Sequence, residues 1–295
     1  MNNSKPFGLN IHSEIPLPGC GATGATADVR IRYGAVPDSL PGAAMIRVCT
    51  QTRPGQFLLA LDRVAKYLVE DGTRITIEPA PGVTDDEVRL FLMGAVWSAL
   101  LLQRGLLPLH GSAIRVKDGA VVFAGPSGNG KSTLTAALME RGYPLIADEL
   151  CALAVKENSP PVLLPGFPQI LLWADSLRKL EKDMRHLAPV RPGLGKYVVP
   201  LENDTVGAPL PVERLYVMAV GNKPSFRIKP LQGRNRIHAV IECTYRVKHV
   251  AGHGLSTSHF KQCCDTARHI DVKRLERPLI PFDLERLVNH ITGDF

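Results

Sequence analysis

The sequence Gly125-Pro126-Ser127-Gly128-Asn129-Gly130-Lys131-Ser132-Thr133 fits the pattern G-x-x-x-x-G-K-[ST] of a phosphate-binding loop. The apolar run over residues 120–124 precedes it and predicts a buried strand. Apolar residues at helical spacing follow it, and Gly142 stands where the C-terminus of a helix favours a left-handed residue. A strand, a glycine-rich loop and a helix in this order predict a nucleoside triphosphate site.

The residue types of the loop fit the chemistry of a triphosphate. Glycines let successive backbone N–H groups turn toward the phosphates, and the N-terminus of the helix adds partial positive charge. Lys131 is long enough to reach the β- and γ-phosphates, and the Ser132 hydroxyl is a suitable Mg²⁺ ligand. We therefore predict that residues 125–133 bind ATP and that Mg²⁺ accompanies it.

Two carboxylates follow the next predicted strand. The apolar run over residues 145–147 ends at Asp148 and Glu149. In a parallel α/β unit, the strand over residues 145–147 and the strand over residues 120–124 would end at the same edge of the sheet. Both acids would then point toward the Mg²⁺-triphosphate. One of them can hold the metal and the other can take a proton from an attacking hydroxyl, so both remain candidate metal ligands beside Ser132. The alternative is a helix cap or a solvated acidic turn.

A hairpin signal lies immediately before the loop strand. Asp118-Gly119 separates two strand-like runs, so the strand that leads into the loop should have an antiparallel neighbour. This predicts an α/β fold with a mixed sheet and disfavours an all-parallel doubly wound fold. The hairpin also places His110 near the opening of the phosphate-binding loop, where this residue would be either structural or part of the site.

The first part of the chain has a different pattern. Residues 1–80 are rich in strand and turn signals; residues 29–33 alternate apolar and basic, which predicts an antiparallel strand with one wet face. A capping box at Thr84 and Glu87 starts a predicted buried helix that ends at Gly105. We therefore divide the chain into a β-rich N-terminal region, 1–105, and a catalytic domain, 106–295.

The segments after the two acids give weaker signals. Residues 165–173 predict a turn and a strand, and residues 174–185 predict an amphipathic helix. Residues 189–199 predict a flexible loop that could carry Lys196 to phosphate or substrate.

Composition limits the classes of function. The chain is 45% hydrophobic and 21% charged, with a net charge of +7 that suits anionic ligands. The basic residues are scattered and aromatic residues make up 6%, so nucleic-acid binding is disfavoured. The N-terminus lacks the apolar core of a signal peptide, and the most apolar run, residues 90–102, is too short to span a bilayer. Six cysteines without a C-x-x-C pair predict reduced thiols in the cytoplasm.

Together, His110-Gly111-Ser112, the hairpin, the loop and residues 145–149 resemble the catalytic core of the HPr kinase/phosphorylase family. The resemblance is firm over residues 107–153. It implies a sheet like that of phosphoenolpyruvate carboxykinase, ATP-dependent phosphorylation of a serine, an active-site role for His110 and proton abstraction by Asp148. Homo-oligomers are frequent among these kinases. The family usually has aspartate where this chain has Glu149, and a later glutamate-bearing motif is missing, which argues against phosphorylase activity.

The opening residues 7–17 resemble the short HPr kinase homologues that accompany peptide biosynthesis. Some of these phosphorylate the C-terminal serine of a lasso-peptide precursor, and residues 165–168 with the following Leu172-Trp173 fit the same branch. The sequence thus leaves three hypotheses: a Mg-ATP-dependent serine kinase of a small peptide, a kinase of HPr itself, and a nucleotide-dependent switch without phosphotransfer. The identity of the acceptor is not given by the residues.

Overall fold

The computed structural model describes residues 4–21, 24–191, 193–201, 205–221, 225–279 and 283–295. Residues 1–3 of the N-terminal segment, and Pro192 of the predicted loop, lie outside the described residues.

The first part of the chain forms a seven-stranded sheet, which confirms its β-rich pattern. Its strands are β1 (Ile11–Ser13), β2 (Val29–Tyr33), β3 (Met45–Ile46), β4 (Thr50–Arg53), β5 (Gln56–Leu61), β6 (Ala65–Glu70) and β7 (Arg74–Pro79). They lie in the order β1-β2-β7-β6-β5-β4-β3.

The predicted direction of β2 is wrong. β2 runs parallel to both of its neighbours, β1 and β7. The alternation of buried and exposed side chains, on which the prediction is based, is present: Val29 and Ile31 are buried, and Arg30 and Arg32 are exposed. Alternation reports only that one face is buried, and both strand directions satisfy it.

The predicted helix after this sheet begins at the capping box and is not continuous. It consists of α1 (Asp85–Phe91), a π-helical segment (Leu92–Val96) and α2 (Trp97–Gln103). The Thr84 side chain accepts from the Glu87 backbone N–H, and the Glu87 carboxylate accepts from Thr84, which confirms the capping box. The π segment brings Gly94 against Tyr245, where a Cβ atom would lie 2.7 Å from the tyrosine hydroxyl oxygen. Much of this helical segment is buried in the core of the first sheet.

The rest of the chain forms two further sheets and five helices among the described residues. The strands are β8 (Leu107–Val116), β9 (Gly119–Ala124), β10 (Leu145–Ala147), β11 (Leu150–Ala154), β12 (Val162–Leu164), β13 (Gln169–Trp173), β14 (Ala188–Pro189), β15 (Lys196–Pro200), β16 (Leu210–Gly221), β17 (Arg227–Pro230) and β18 (Asp271–Pro278). The helices are α3 (Lys131–Glu140), α4 (Ala174–Lys179), α5 (Arg234–Cys243), α6 (Ser256–His269) and α7 (Leu284–Thr292).

The larger sheet is mixed, as predicted. β8 and β9 form the expected antiparallel hairpin, whereas β16 runs parallel to both β9 and β18. β8 also pairs with β11, β11 with β12, and β12 with β16. The pairings among β8, β11, β12, β16 and β9 therefore close into a ring, and the α/β class with a mixed sheet is confirmed.

The smaller sheet corrects two local predictions. It has three strands in the order β13-β15-β14, so the segment predicted as a loop over residues 189–199 in fact contributes to β14 and β15. The helix predicted over residues 174–185 ends at Lys179, and Glu181 takes a positive φ of 52° that a continuing helix does not allow. Lys196 is consequently held in a strand.

The helix after the loop lies at the centre of the second part of the chain. α3 contacts β8, β9, β13 and α7, and its buried residues Leu134 and Leu138 belong to a core shared with these elements. Across the described part of the chain, no helix has both the length and the apolar character needed to cross a bilayer.

Candidate active site

The phosphate-binding loop connects β9 to α3 and is fixed against β16. Gly125 has a φ of 135°, and a Cβ atom there would lie 2.7 Å from the Met218 carbonyl oxygen. The Asn129 side-chain amide donates to the same carbonyl at 2.8 Å. The glycine at this position is therefore required by both conformation and space.

Lys131 lies inside the loop. Its Nζ atom donates to the carbonyl oxygens of Gly125 at 2.9 Å and of Pro126 at 3.1 Å. Burial lowers the pKa of Lys131, while the charges of Glu149 and Asp148 oppose that shift. The ammonium group is therefore positioned at the phosphate side of the loop, with negative charge close by.

Asp148 and Glu149 lie at a break between two strands that pair with the same partner. β10 and β11 both run antiparallel to β8, and Asp148 and Glu149 separate them. β9 also runs antiparallel to β8, so β9 and β10 end at the same edge, as the sequence predicts. Glu149 has a φ of 67°, which is uncommon for a residue with a side chain. This turn gives the two adjacent carboxylates different surroundings.

The Asp148 carboxylate is half-buried and accepts three hydrogen bonds. The hydroxyl groups of Ser112 and Ser132 donate to Oδ1, the latter at 2.9 Å, and the Leu171 backbone N–H donates to Oδ2 at 2.8 Å. Burial and the charge of Glu149 raise the pKa of Asp148, and the hydrogen bonds from Leu171 and Ser112 only partly oppose this. A carboxylate in this environment has an increased affinity for a proton.

Glu149 is in the opposite electrostatic situation. Its Oε1 atom lies 3.5 Å from His110 Nε2, and its Oε2 atom lies 3.2 Å from Lys196 Nζ. Burial favours the neutral form of Glu149, but the interactions with His110 and Lys196 outweigh it and lower its pKa to about 2. The environments of the two neighbouring acids thus separate their pKa values, which is a common feature of acid–base sites.

The structure brings together the residues predicted from sequence to form the site. His110 lies within β8 rather than in a turn, and its ring contacts Tyr245 edge-to-face at 5.2 Å. His110, Lys131, Ser132 and Glu149 line a cavity of about 300 Å³, which we call the phosphate cavity. The other loop residues on its wall are Ser127, Gly128, Gly130 and Thr133. Gly125, Pro126 and Asn129 belong to the same loop but are not among the residues that line this cavity.

The oxygen atoms around Ser132 suit Mg²⁺. Two adjacent ligands of an octahedral Mg²⁺, each at about 2.0–2.1 Å from the ion, lie roughly 2.9 Å apart. Ser132 Oγ lies 2.9 Å from Asp148 Oδ1, to which it donates a hydrogen bond, so Asp148 could join Ser132 as a ligand only when that hydrogen bond is given up and the carboxylate is ionised. Glu149 fits this role less well, because both of its oxygens contact cationic or potentially cationic groups. Among the residues described, no group of three His, Cys, Asp or Glu side chains is arranged to hold a metal ion, so phosphate oxygens and water would complete the shell.

Sequence reasoning missed Arg277. This largely buried residue of β18 donates from Nε to the Asn129 carbonyl at 2.9 Å and from Nη2 to the Gly128 carbonyl at 3.3 Å. Its side chain also lines the phosphate cavity. The sequence held one signal for Arg277, its position in the strand. Alternate residues of a strand face the same side, and Arg277 follows the buried Leu275 by two positions, so a charged side chain lies on an inward face.

A second cavity of about 290 Å³ lies on the other side of the acids. It shares Glu149 and Lys196 with the phosphate cavity, and Asp148 also lines it. Its other walls combine aromatic rings, such as Phe167, with the arginine side chain of Arg246. Asp148 thus lines the second cavity and contacts the wall of the phosphate cavity through the hydrogen bond from Ser132.

The sequence matches no family model and no curated protein. Among solved structures, the chain is similar to the HPr(Ser) kinase/phosphatase from Coxiella burnetii, over 63% of this chain and 91% of that chain. The aligned residues are 15% identical and the TM-score is 0.33. A likeness at this level carries no conclusion about activity.

Proposed function

We propose that this protein is a Mg-ATP-dependent kinase that transfers the γ-phosphate to a serine hydroxyl of a peptide or small protein. The observation that carries the proposal is the position of Asp148. Its carboxylate contacts the loop through Ser132 and lines the second cavity, so it touches both the place for the phosphates and the place for an acceptor.

In the proposed reaction, the acceptor hydroxyl enters from the second cavity. Its oxygen forms a bond to the γ-phosphorus as the bond from that phosphorus to the ADP oxygen breaks, and its proton passes to Asp148. The raised pKa of Asp148 favours proton uptake, whereas Glu149, with its pKa lowered to about 2, is a poor base. Asp148 is therefore the catalytic base, and Glu149 orients Lys196 and His110.

Positive charge at the phosphate cavity supports the transfer step. Lys131 is positioned at the loop, and Lys196 is held at the shared wall of both cavities. These groups offset the charge that develops on the transferring phosphoryl group and on ADP. Mg²⁺ bound by Ser132, with phosphate oxygens and water, would supply further charge neutralisation at the phosphates and would leave Asp148 free to take the proton.

The acceptor is the finer part of the proposal. The resemblance of the opening residues favours a lasso-peptide precursor with a C-terminal serine, and HPr is the alternative acceptor. Both would be met in the cytoplasm, and both would present a serine hydroxyl to the second cavity. A homo-oligomer, as in related kinases, is compatible with either.

The test is incubation of the full chain with Mg-ATP and each acceptor, followed by mass spectrometry. We expect the mass of one phosphate to be added to a serine of one acceptor, and Asp148→Asn to abolish this transfer. ATP binding or hydrolysis without transfer to any serine acceptor would contradict the proposal and favour a nucleotide-dependent switch. Transfer to HPr alone would reject only the lasso-precursor assignment.

A further inference from the structure

A third cavity of about 300 Å³ adjoins the site on the side away from the loop. We call it the outer cavity; its walls include Leu17, Leu90, Met93, Val190 and Val198. These residues come from the N-terminal segment, from the α1–π helical segment and from the small sheet formed by β13, β15 and β14. The cavity is therefore an apolar recess between the two parts of the chain.

The outer cavity offers no free charge to a ligand. The charged side chains on its described walls are Asp86 and Arg89, and these pair with each other. Arg89 also donates from Nε to the Pro16 carbonyl oxygen at 2.7 Å. A phosphate or another anion would gain little binding free energy here, because the wall residues that the structure describes offer it no free positive charge. An apolar side chain would be favoured, because binding would remove its surface from water.

The outer cavity is continuous with the site. Leu90, Met93, Gln169 and Leu171 line both the outer cavity and the second cavity. The backbone of Leu171 also donates to Asp148, so the shared wall is attached to the proposed base. Leu171 lines the phosphate cavity as well, so the three cavities meet around this residue, and the outer cavity shares most of its common wall with the second cavity.

We propose that the outer cavity binds an apolar side chain of a peptide acceptor, while the serine of that peptide lies in the second cavity. This inference rests on the proposed kinase function and specifies its substrate class. An extended chain advances about 3.3–3.6 Å per residue, so adjacent cavities with a common wall suit residues within about two positions of each other. The acceptor is thus a peptide with a large aliphatic residue close to its phosphorylated serine.

The experiment uses short synthetic peptides that contain one serine. Leu is placed one or two positions before or after the serine, and matched peptides carry Asn there. With the unaltered full chain and Mg-ATP, we expect at least one Leu peptide to have a kcat/KM about tenfold or more above its Asn partner, because a site that buries an apolar group discriminates by about this factor. Phosphopeptides are quantified by mass spectrometry.

A variant then locates the preference. Val198→Trp fills the outer cavity and should remove the Leu preference while leaving ATP affinity unchanged by calorimetry. Val48→Trp, at a fully exposed position, is the matched control and should keep the preference. A folded Val198→Trp protein that retains the preference would overturn the assignment to this cavity.

The two levels of the proposal fail differently. If ATP binds but neither a peptide nor HPr is phosphorylated, the kinase function itself is rejected, and this inference with it; if HPr alone is phosphorylated, the kinase function stands and the peptide site is rejected. If peptides are phosphorylated but each Leu peptide and its Asn partner react at equal rates, the kinase function stands and the apolar side-chain site is rejected.

Discussion

Asp148→Asn should remove phosphotransfer and leave the fold intact. The asparagine oxygen can keep the hydrogen bond from the Leu171 N–H, and its amide can donate to the Ser112 and Ser132 hydroxyls, which rotate to accept. All three contacts therefore persist in some form. What disappears is the ability to take a proton, and loss of a general base typically costs about 10²–10⁴-fold in rate.

Asp148→Ala provides the structural comparison. It leaves the Leu171 N–H and the buried Ser112 hydroxyl without their acceptor, and each buried unsatisfied group costs about 1–3 kcal/mol, so we expect a loss of about 2–6 kcal/mol in the free energy of unfolding. Asp148→Asn should lose less than about 1 kcal/mol. The two variants thus separate the structural role of Asp148 from its chemical role.

The assay combines urea unfolding, ATP binding by calorimetry, and single-turnover phosphotransfer to a serine acceptor. The expected result is that both variants lose transfer while only Asp148→Ala loses substantial stability. Transfer by Asp148→Asn at the unaltered rate would refute the assignment of Asp148 as the base. Equal stability losses in both variants would refute the hydrogen-bond argument instead.

Three further predictions concern the loop and the buried histidines. Gly125→Ala should lower ATP affinity and melting temperature more than Gly128→Ala, because both positions have positive φ but only the first would place Cβ 2.7 Å from a carbonyl oxygen; equal effects in thermal melts would contradict this. Arg277→Gln should raise the Kd for ATP in calorimetry by at least about tenfold, since each lost charge-assisted hydrogen bond is worth about 1.5–3 kcal/mol and the variant frees two loop carbonyls; an unchanged Kd would show that the loop does not depend on Arg277. Burial lowers the pKa of His249 and of His253 to about 4, so between pH 6.5 and 4 the unfolded state binds more protons, and the free energy of unfolding should decrease as the pH falls through this range. Urea midpoints of a His249→Gln/His253→Gln double variant should vary less over this range; an unaltered pH profile would exclude these side chains.

The local parts of the site could be predicted from sequence. The loop, the hairpin before it and the helix after it are each encoded within about a dozen residues, and all three form as expected. Asp148 and Glu149 follow the next strand, so their edge of the sheet was also predictable. The roles assigned to these residues stay predictions, as does the domain boundary at 105/106.

The features that could not be predicted from the sequence depend on contacts between segments that are distant along the chain. Arg277 reaches the loop across 148 residues, and no local pattern announces such a contact. The parallel direction of β2 depends on which strands flank it in space, and alternation does not record that. The π-helical segment places Gly94 against Tyr245, so its cause also lies far along the chain. Lys196 looked like part of a loop because Pro and Gly precede it, yet β13 provides the strand that pairs with it.

The ring of strand pairings has a consequence for hydrogen exchange. Because β8, β11, β12, β16 and β9 pair in a closed circuit, none of them can detach without breaking two ladders. Their amide protons should therefore exchange together, and only through the largest opening of the molecule. The sheet of β13, β15 and β14 is outside this circuit and can open at lower cost. Exchange would thus be slow in β9, which leads into the loop, and faster in β13, β14 and β15, which contribute to the walls of the outer cavity.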